Sequence, residues 1–401
     1  MTETKIPTIL CLASYFKGTT FLQAAKAEGC RVLLLTREAL REEAWPHDSL
    51  DNIFFMPDLR RKPDIFYAVS YLTRAESVDR IVPLDDYDVE TAASLREHLR
   101  LPGLGDTQAR YFRDKLAMRY QAQASGLNVP PFVGIFNYDR LRYFMQTVPA
   151  PWLLKPRSEA GAMGIKKVSH DEEVWRWLDQ LGDEQSYFLL EQFITGEMYH
   201  IDAVVHQGEV VLAVPHKYWQ PPMTVAHEGG VFATRRLPHD SDEANTLLNL
   251  NRQLLQAFGL TDGVAHTEFL RGADGRYYFI ETAARVGGAN IEQLVEAASG
   301  VNLWAEWAKL EATAVRGQPY PLPTDAGRYA GLLVCLARQE YPDLSGYQDA
   351  EIVYRLDKRH HAGLVVASPD YERIMTLLGQ YQERFGHDFL AVAPPLDKAP
   401  T

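Results

Sequence analysis

Apolar positions early in the chain come in short unbroken runs separated by segments with helical spacing. TILCLAS (8–14), RVLLLT (31–36) and RIVPLDD (80–86) have the make-up of strands covered on both faces. TTFLQAAKAEG, which stops at Gly29, and DVETAASLREHL (88–99) have the spacing of amphipathic helices. Alternation of this kind predicts a parallel, doubly wound sheet over residues 1–108. Past the turn-rich LPGLG (101–105), residues 110–126 are helical up to VPPF (129–132), where proline cannot continue a helix. WLLKP (152–156) and IKKVS predict two strands around the loop RSEAGAMG. A helix over 171–181 then precedes the strand-like YFLLEQFITG and MYHIDAVVHQGEVVLAV. A helix over 242–258 leads into GVAHTEFLRGADGRYYFIETA, which has the pattern of a hairpin, and NIEQLVEAASG (290–300) is helical. From residue 316 on, strands at YAGLLVCLA and HAGLVVAS and a helix over 369–384 predict a small C-terminal α/β domain.

Composition narrows the picture without redrawing it. The 401 residues exceed one compact core. An apolar fraction of 46% and a charged fraction of 23% are those of a globular protein. A net charge of -12 argues against nonspecific binding to nucleic acid or to an anionic membrane. Three scattered cysteines (Cys11, Cys30, Cys335) have neither metal-ligand spacing nor an even count, which suits reduced thiols in a cytoplasmic location. The first residues lack the order of a signal peptide, and no apolar run approaches a membrane span.

The chemistry concentrates in the hairpin. With a two- or four-residue turn at GADG (272–275), Glu268 pairs with Phe279 and His266 with Glu281. His266, Glu268 and Glu281 then share one face, while Thr267, Phe269, Tyr278 and Ile280 form the core side. A three-residue loop would put the two acids on opposite faces. Two carboxylates about 5–8 Å apart on one face repel each other unless a cation lies between them. Mg²⁺, which takes oxygen ligands and shares its sphere with phosphates, is the cation this arrangement suits. Arg285 follows Glu281 by four residues, and Gly287 and Gly288 let backbone amides come close to an anion. Upstream, Lys155 ends a buried strand and needs an anionic partner. The loop SEAGAMG (158–164) is small and flexible but lacks the G-K-[ST] of a Walker A loop. A plain solvated sheet face and an ordinary turn remain the alternative readings of these pieces taken singly.

Taken in order, RDK (113–115), LLKPRSEAGAMGI (153–165), LLEQFITGEMYHID (189–202), HTEF (266–269) and FIETAARVGG (279–288) resemble the ATP-grasp superfamily over about residues 5–315. The closest likeness is to the carboxylate–amine ligases, including L-amino acid ligases and, more remotely, biotin carboxylase. The resemblance implies an N-terminal Rossmann-like domain (1–108), an ATP-grasp domain (109–315, with a lid subdomain at about 125–197) and the small C-terminal domain (316–401). It implies that Lys115 and Lys155 hold the α- and β-phosphates of ATP. Ser158, Ala162 and Gly164 would close on the β- and γ-phosphates. Glu191 and the backbone of Gln192, Phe193 and Ile194 would bind adenine, and His200 would contact the nucleotide. Glu268 and Glu281 would ligate Mg²⁺ (or Mn²⁺), and Arg285 would be the catalytic arginine, with Lys155 beside it. Gly287 and Gly288 would help bind the carboxylate substrate. Many members carry Asn two residues after the second metal glutamate, where this chain has Ala283.

The implied reaction joins a small-molecule carboxylate, activated as an acyl phosphate, to an amine. A small-molecule kinase on the same fold, or a nucleotide-binding regulator without turnover, are the rival readings. A biotin-dependent carboxylase ranks below them, since no Met-Lys biotin-acceptor motif is present. The segment PHKYWQPPMTVAHEGGVF (215–232) lies between the nucleotide and metal motifs. It nominates His227 and Glu228 as substrate contacts, with an ordered surface loop as the alternative. Pocket wall or a homodimer contact are the roles open to the C-terminal residues.

Overall fold

The structure is a computed structural model that describes residues 5–394. Its first unit is a four-stranded parallel sheet of β1 (Thr8–Ala13), β2 (Arg31–Arg37), β3 (Asn52–Met56) and β4 (Arg80–Pro83), in the order β3-β2-β1-β4. The apolar runs are continuous because both faces are covered. Leu10, Leu12, Leu33 and Leu35 pack under the helices 62–72 and 89–99. Ile9, Cys11, Val32 and Leu34 belong to a core with Phe21 and Leu22 of the helix 19–27 and with Trp307 of the helix 303–316. This last helix therefore ties a late part of the chain to its first sheet, and an Arg80–Glu311 ion pair at 3.1 Å adds to the joint. β3 went unpredicted because its residues are only half-buried at the sheet edge, so the apolar run NIFFM lacks a clear signal of either period.

A second sheet, antiparallel, holds β5 (Phe132–Gly134), β6 (Trp152–Pro156), β7 (Lys166–Val168) and β8 (Phe188–Gln192) in the order β5-β8-β6-β7. It has its own core, in which Trp152, Leu154 and Leu190 meet Leu141 and Phe144 of one helix and Val174 and Leu178 of another. The loop 158–164 joins β6 to β7 at the end of this sheet.

The third sheet has eight strands: β9 (Gly196–His206), β10 (Glu209–Tyr218), β11 (Phe232–Arg236), β12 (Gly263–Gly272), β13 (Tyr277–Ala283), β14 (Tyr329–Leu336), β15 (Ile352–Arg355) and β16 (His361–Ser368). Their order is β13-β12-β9-β10-β11-β14-β16-β15. The C-terminal residues expected to form a small α/β domain do pack a core around the helix 371–388, but their strands continue this sheet through the β11–β14 pairing.

The hairpin differs from the expected one. Gly272 accepts from the Gly275 amide and donates to Arg276, so the loop has three residues, with Gly275 at φ 77° supplying the left-handed turn position. That loop alone would have separated the acids. A β-bulge compensates: Phe269 pairs with Phe279, whereas Glu268 pairs with Glu281, leaving Ile280 as the extra residue. The expected pairing of Glu268 with Phe279 is thus corrected. Phe279 points into the core, fully buried against Phe258 and Phe269, while Tyr278 and Ile280 lie on the acid-bearing face with Met198, Tyr218 and Leu270.

Candidate active site

A cavity of about 360 Å³ opens between the second sheet and the eight-stranded sheet. One end is apolar, walled by Leu153, Phe193, Ile194, Met198, Leu270 and Ile280. The other end gathers Lys115, Lys155, Glu159, Glu268 and Glu281. An apolar slot leading to lysines and paired carboxylates suits a flat heteroaromatic base, a polyphosphate and a divalent cation in that order.

The charged end is built from four elements. Lys115 opens the helix 115–124, capped by Asp114, whose side chain accepts from the amides of Leu116 and Ala117. Lys115 Nζ donates to the Glu159 carbonyl at 2.6 Å and lies 2.9 Å from Glu281 Oε2. One turn on, Arg119 is fully buried and pairs with Glu191 Oε2 at 2.9 Å. Glu191, at the end of β8, also takes Lys155. Burial pushes the Lys155 ammonium below its ordinary pKa, against the pull of Glu191. Burial alone would raise Glu191, but the charges of Arg119 and Lys155 outweigh it and keep the carboxylate ionised. Two cations thus share one acid, which leaves positive charge to meet phosphate.

The acids of the hairpin belong to a row that crosses five strands in register. Glu281 faces Glu268, Glu268 faces His200, His200 faces His216, and His216 faces Arg236. Tyr218 donates to Glu268 Oε1 at 2.6 Å. In the adjacent row Asp202, fully buried, binds His200 Nδ1 at 2.7 Å and His266 Nδ1 at 2.9 Å. Burial would lower His266, but the Asp202 carboxylate overrides it and lifts the imidazole to about 9. Gly287 sits where a Cβ would come within 2.9 Å of Asp202 Oδ1 and 3.1 Å of His266 Nδ1, so the glycine permits this contact of loop and cluster.

Arg285 does not stand free. Its Nε donates to Asp86 Oδ2 at 2.7 Å and its Nη1 to the Val286 carbonyl at 2.8 Å. Burial would raise Asp86, yet Arg285 and Arg113 hold its carboxylate well below the usual range. A guanidinium already seated on a carboxylate is shaped to take another.

Several expected contacts fall elsewhere. His200 does not reach the cavity: it is fully buried, with Nδ1 on Asp202 and Nε2 2.8 Å from Thr234 Oγ1. The Glu191 carboxylate faces Lys155 and Arg119 instead of standing open to a base. The amides of Gln192 and Phe193 are bonded to the Pro131 and Pro151 carbonyls, which leaves the Ile194 amide as the free donor of that segment. Within the loop, Glu159, Gly161, Ala162 and Met163 line the cavity, whereas Ser158 and Gly164 flank it, the Ser158 carbonyl accepting from Arg113. The segment read as a loop contains the helix 222–228, started by its prolines. There His227 Nε2 lies 3.4 Å from the Ala162 carbonyl, but Glu228 is exposed and outside the cavity wall. Gly288 has open space on its Cβ side. Arg119 and Tyr218 were missed. Arg119 had one signal, its position one helical turn from Lys115.

A family model described as the ATP-grasp domain matches residues 148–293, which include the strands β6 to β8 and both hairpin acids. The chain carries an ATP-grasp domain. The L-arginine-specific L-amino acid ligase of Bacillus subtilis is 25% identical over 261 residues, 63% of this chain and 62% of that protein, so the chain spans under two thirds of that relative's length. Across the whole fold, the L-amino acid ligase of Bacillus licheniformis superposes with a TM-score of 0.76 at 18% identity, covering 98% of this chain and 99% of its own. The biotin carboxylase domain of the 2-oxoglutarate carboxylase of Hydrogenobacter thermophilus, a complex with MgADP and bicarbonate, gives 0.70 at 15%, covering 93% and 88%. The mixed α/β architecture around the ATP-grasp domain is thus shared along nearly the whole chain. No helix among the described residues is long and apolar enough to cross a membrane.

Proposed function

We propose that this protein is an ADP-forming ligase that activates a small carboxylate with ATP and joins it to an amine, an amino acid being the favoured substrate class. One observation carries the reading: Glu268 and Glu281 stand face to face beside Lys115 and Lys155, with Arg285 next to them already holding a carboxylate. The donor set fits a nucleotide with a divalent cation. Glu268 and Glu281 would hold Mg²⁺ by oxygen, Lys115 and Lys155 the phosphates, and Leu153, Phe193, Met198 and Leu270 the base. ATP supplies the phosphoryl group that turns a carboxylate, whose leaving group would be oxide, into an acyl phosphate. The chain's own part is positioning and charge. Arg285 orients the substrate carboxylate by exchanging Asp86 for it, and its fixed charge meets the negative charge that builds during transfer. Amides around Gly287 and Gly288 can bind the same carboxylate. A second cavity, about 340 Å³ and lined by Val225, Phe232, Ala289, Val334 and Leu336, suits an apolar substrate side chain. The similarity to L-amino acid ligases supports this class.

The test is an ADP-release screen over carboxylate and amine pairs, with hydroxylamine trapping and mass spectrometry of products. The expected outcome is amide formation for at least one pair and a hydroxamate when hydroxylamine replaces the amine. ADP release with a phosphorylated hydroxyl product and no hydroxamate would replace the ligase reading with a kinase.

A further inference from the structure

The loop 158–164 is gripped at four points. Arg113 donates to the Ser158 carbonyl, Lys115 Nζ to the Glu159 carbonyl at 2.6 Å, and His227 Nε2 lies 3.4 Å from the Ala162 carbonyl. These three hold main chain. The fourth joins two side chains and crosses from the parallel-sheet unit: the Tyr87 hydroxyl donates to Glu159 Oε2 at 2.8 Å. Residues 161–164 need such grips, since Gly161, Ala162 and Gly164 all have left-handed backbone (φ 66°, 60° and 68°) and a Cβ at Gly161 would meet nothing within 4 Å.

Tyr87 is itself immobilised. Asp85 accepts from its amide at 3.0 Å, its ring lies 5.3 Å from that of Tyr15, and the Arg113 guanidinium sits 5.0 Å over it. On one side in sequence is Asp86, which holds Arg285. On the other is Asp88, bound by the Ser14 amide at 2.7 Å and hydroxyl at 2.5 Å. Glu159 meanwhile lines the cavity with Lys155, Glu268 and Glu281. One short turn of the first unit therefore touches both the arginine that would hold the carboxylate and the loop that would cover the phosphates. Burial and the Glu159 carboxylate raise the Tyr87 hydroxyl, which keeps it a donor.

We propose that the Tyr87–Glu159 pair is a latch that keeps the loop closed over the activated carboxylate, so that the first unit sets the share of ATP turnover ending in amide. This rests on the ligase reading above. In the productive path the amine nitrogen attacks the acyl carbon, the bond from that carbon to the phosphate oxygen breaks, phosphate leaves with the electron pair, and the nitrogen loses a proton to solvent. If the loop opens first, water attacks the same carbon, the same bond breaks, and the carboxylate returns with phosphate. Each path consumes one ATP, so amide formed per ADP measures the latch. Tyr87 and Glu159 are positioning residues here, since neither bonds the reacting atoms.

The experiment compares Tyr87→Phe, Glu159→Ala, Glu159→Gln and the Tyr87→Phe/Glu159→Ala double variant in the full chain. Amide per ADP should fall about three- to tenfold in Tyr87→Phe and in Glu159→Ala, the range for one lost hydrogen bond. The double variant should be no worse than either single one. Glu159→Gln, which keeps an acceptor oxygen for the hydroxyl, should stay near wild type. An unchanged ratio in Tyr87→Phe, or a Glu159→Gln variant as uncoupled as Glu159→Ala, overturns the latch. Hydrogen exchange gives a readout independent of turnover: with a nonhydrolysable ATP analogue bound, amides of 158–164 should exchange faster in Tyr87→Phe than in wild type, and equal exchange overturns the proposal. Should no substrate pair give amide or hydroxamate with the wild type, the ligase reading fails, and the exchange measurement still decides whether the bond holds the loop.

Discussion

Lys155 and Arg285 both bring positive charge to the site, yet their partners assign them different work. Lys155 meets phosphate in ground and transition states alike, so Lys155→Ala should weaken ATP binding; Arg285 meets charge that grows, so Arg285→Ala should lower kcat by about 100-fold with nucleotide affinity nearly kept. Titration of the ATP analogue by calorimetry beside steady-state kinetics separates the two, and equal losses in both quantities for both variants would refute the division. Gly287→Ala should disturb the Asp202–His266 contact, because the new methyl would stand 2.9 Å from a carboxylate oxygen. Loss of turnover with a Tm within a few degrees of wild type is the outcome expected for a local effect. At this scale, what the sequence exposes is chemical anomaly: an acid or a lysine ending an apolar run, as at Lys155, Glu281 and Glu268. It hides the partners. Asp86 and Arg285 are 199 positions apart, and no local pattern announces that they meet.

The hairpin β12–β13 shows how an element can be right in kind while its register is set by details. Alternation predicts two strands and a face with both acids, and the structure has them, but through a three-residue loop plus a bulge, two one-residue shifts that cancel on the acid face. No propensity marks Ile280 as the bulged residue; the bulge is set by burial of Phe279 on one side and Glu281 on the other. Glu281→Gln, which keeps the register but loses a charged ligand, should weaken Mg²⁺–ATP binding in calorimetry, and unchanged affinity would sink the metal assignment. Phe279→Ala tests the core side: removing a fully buried ring from contact with Phe258 and Phe269 should cost about 3–5 kcal/mol in denaturant unfolding. The helix 222–228 escaped detection because its flanking prolines and glycines mimic a loop, when in fact Pro222 starts it and Gly229 ends it.

For the whole molecule, the Asp86–Arg285 pair clamps the first unit to the ATP-grasp domain, and its pH dependence has a definite sign. The folded-state pKa of Asp86 lies below the unfolded value of about 3.9. Its contribution to stability is therefore present at neutral pH and fades as the pH falls below that value. Asp86→Asn, which strands a buried guanidinium, should cost about 3 kcal/mol near pH 7 and progressively less on approach to pH 3, followed by Tm across the range. A Tm difference that stays constant from pH 7 to pH 3 would contradict this origin.

The strand order of the large sheet has a consequence for how the gene can be cut. β14, β16 and β15 come last in the chain, yet they cover one side of β11, while the helix 303–316 just before them packs against the first sheet. A protein ending near residue 315 would leave the backbone of β11 and the apolar face of Ala233 without neighbours, an open edge that recruits other chains. The segment after residue 315 is thus not a detachable appendage: such a truncation should accumulate as insoluble material, and its rescue by separately supplied residues 316–401 would show that the missing edge, and no lost chemistry, was the fault.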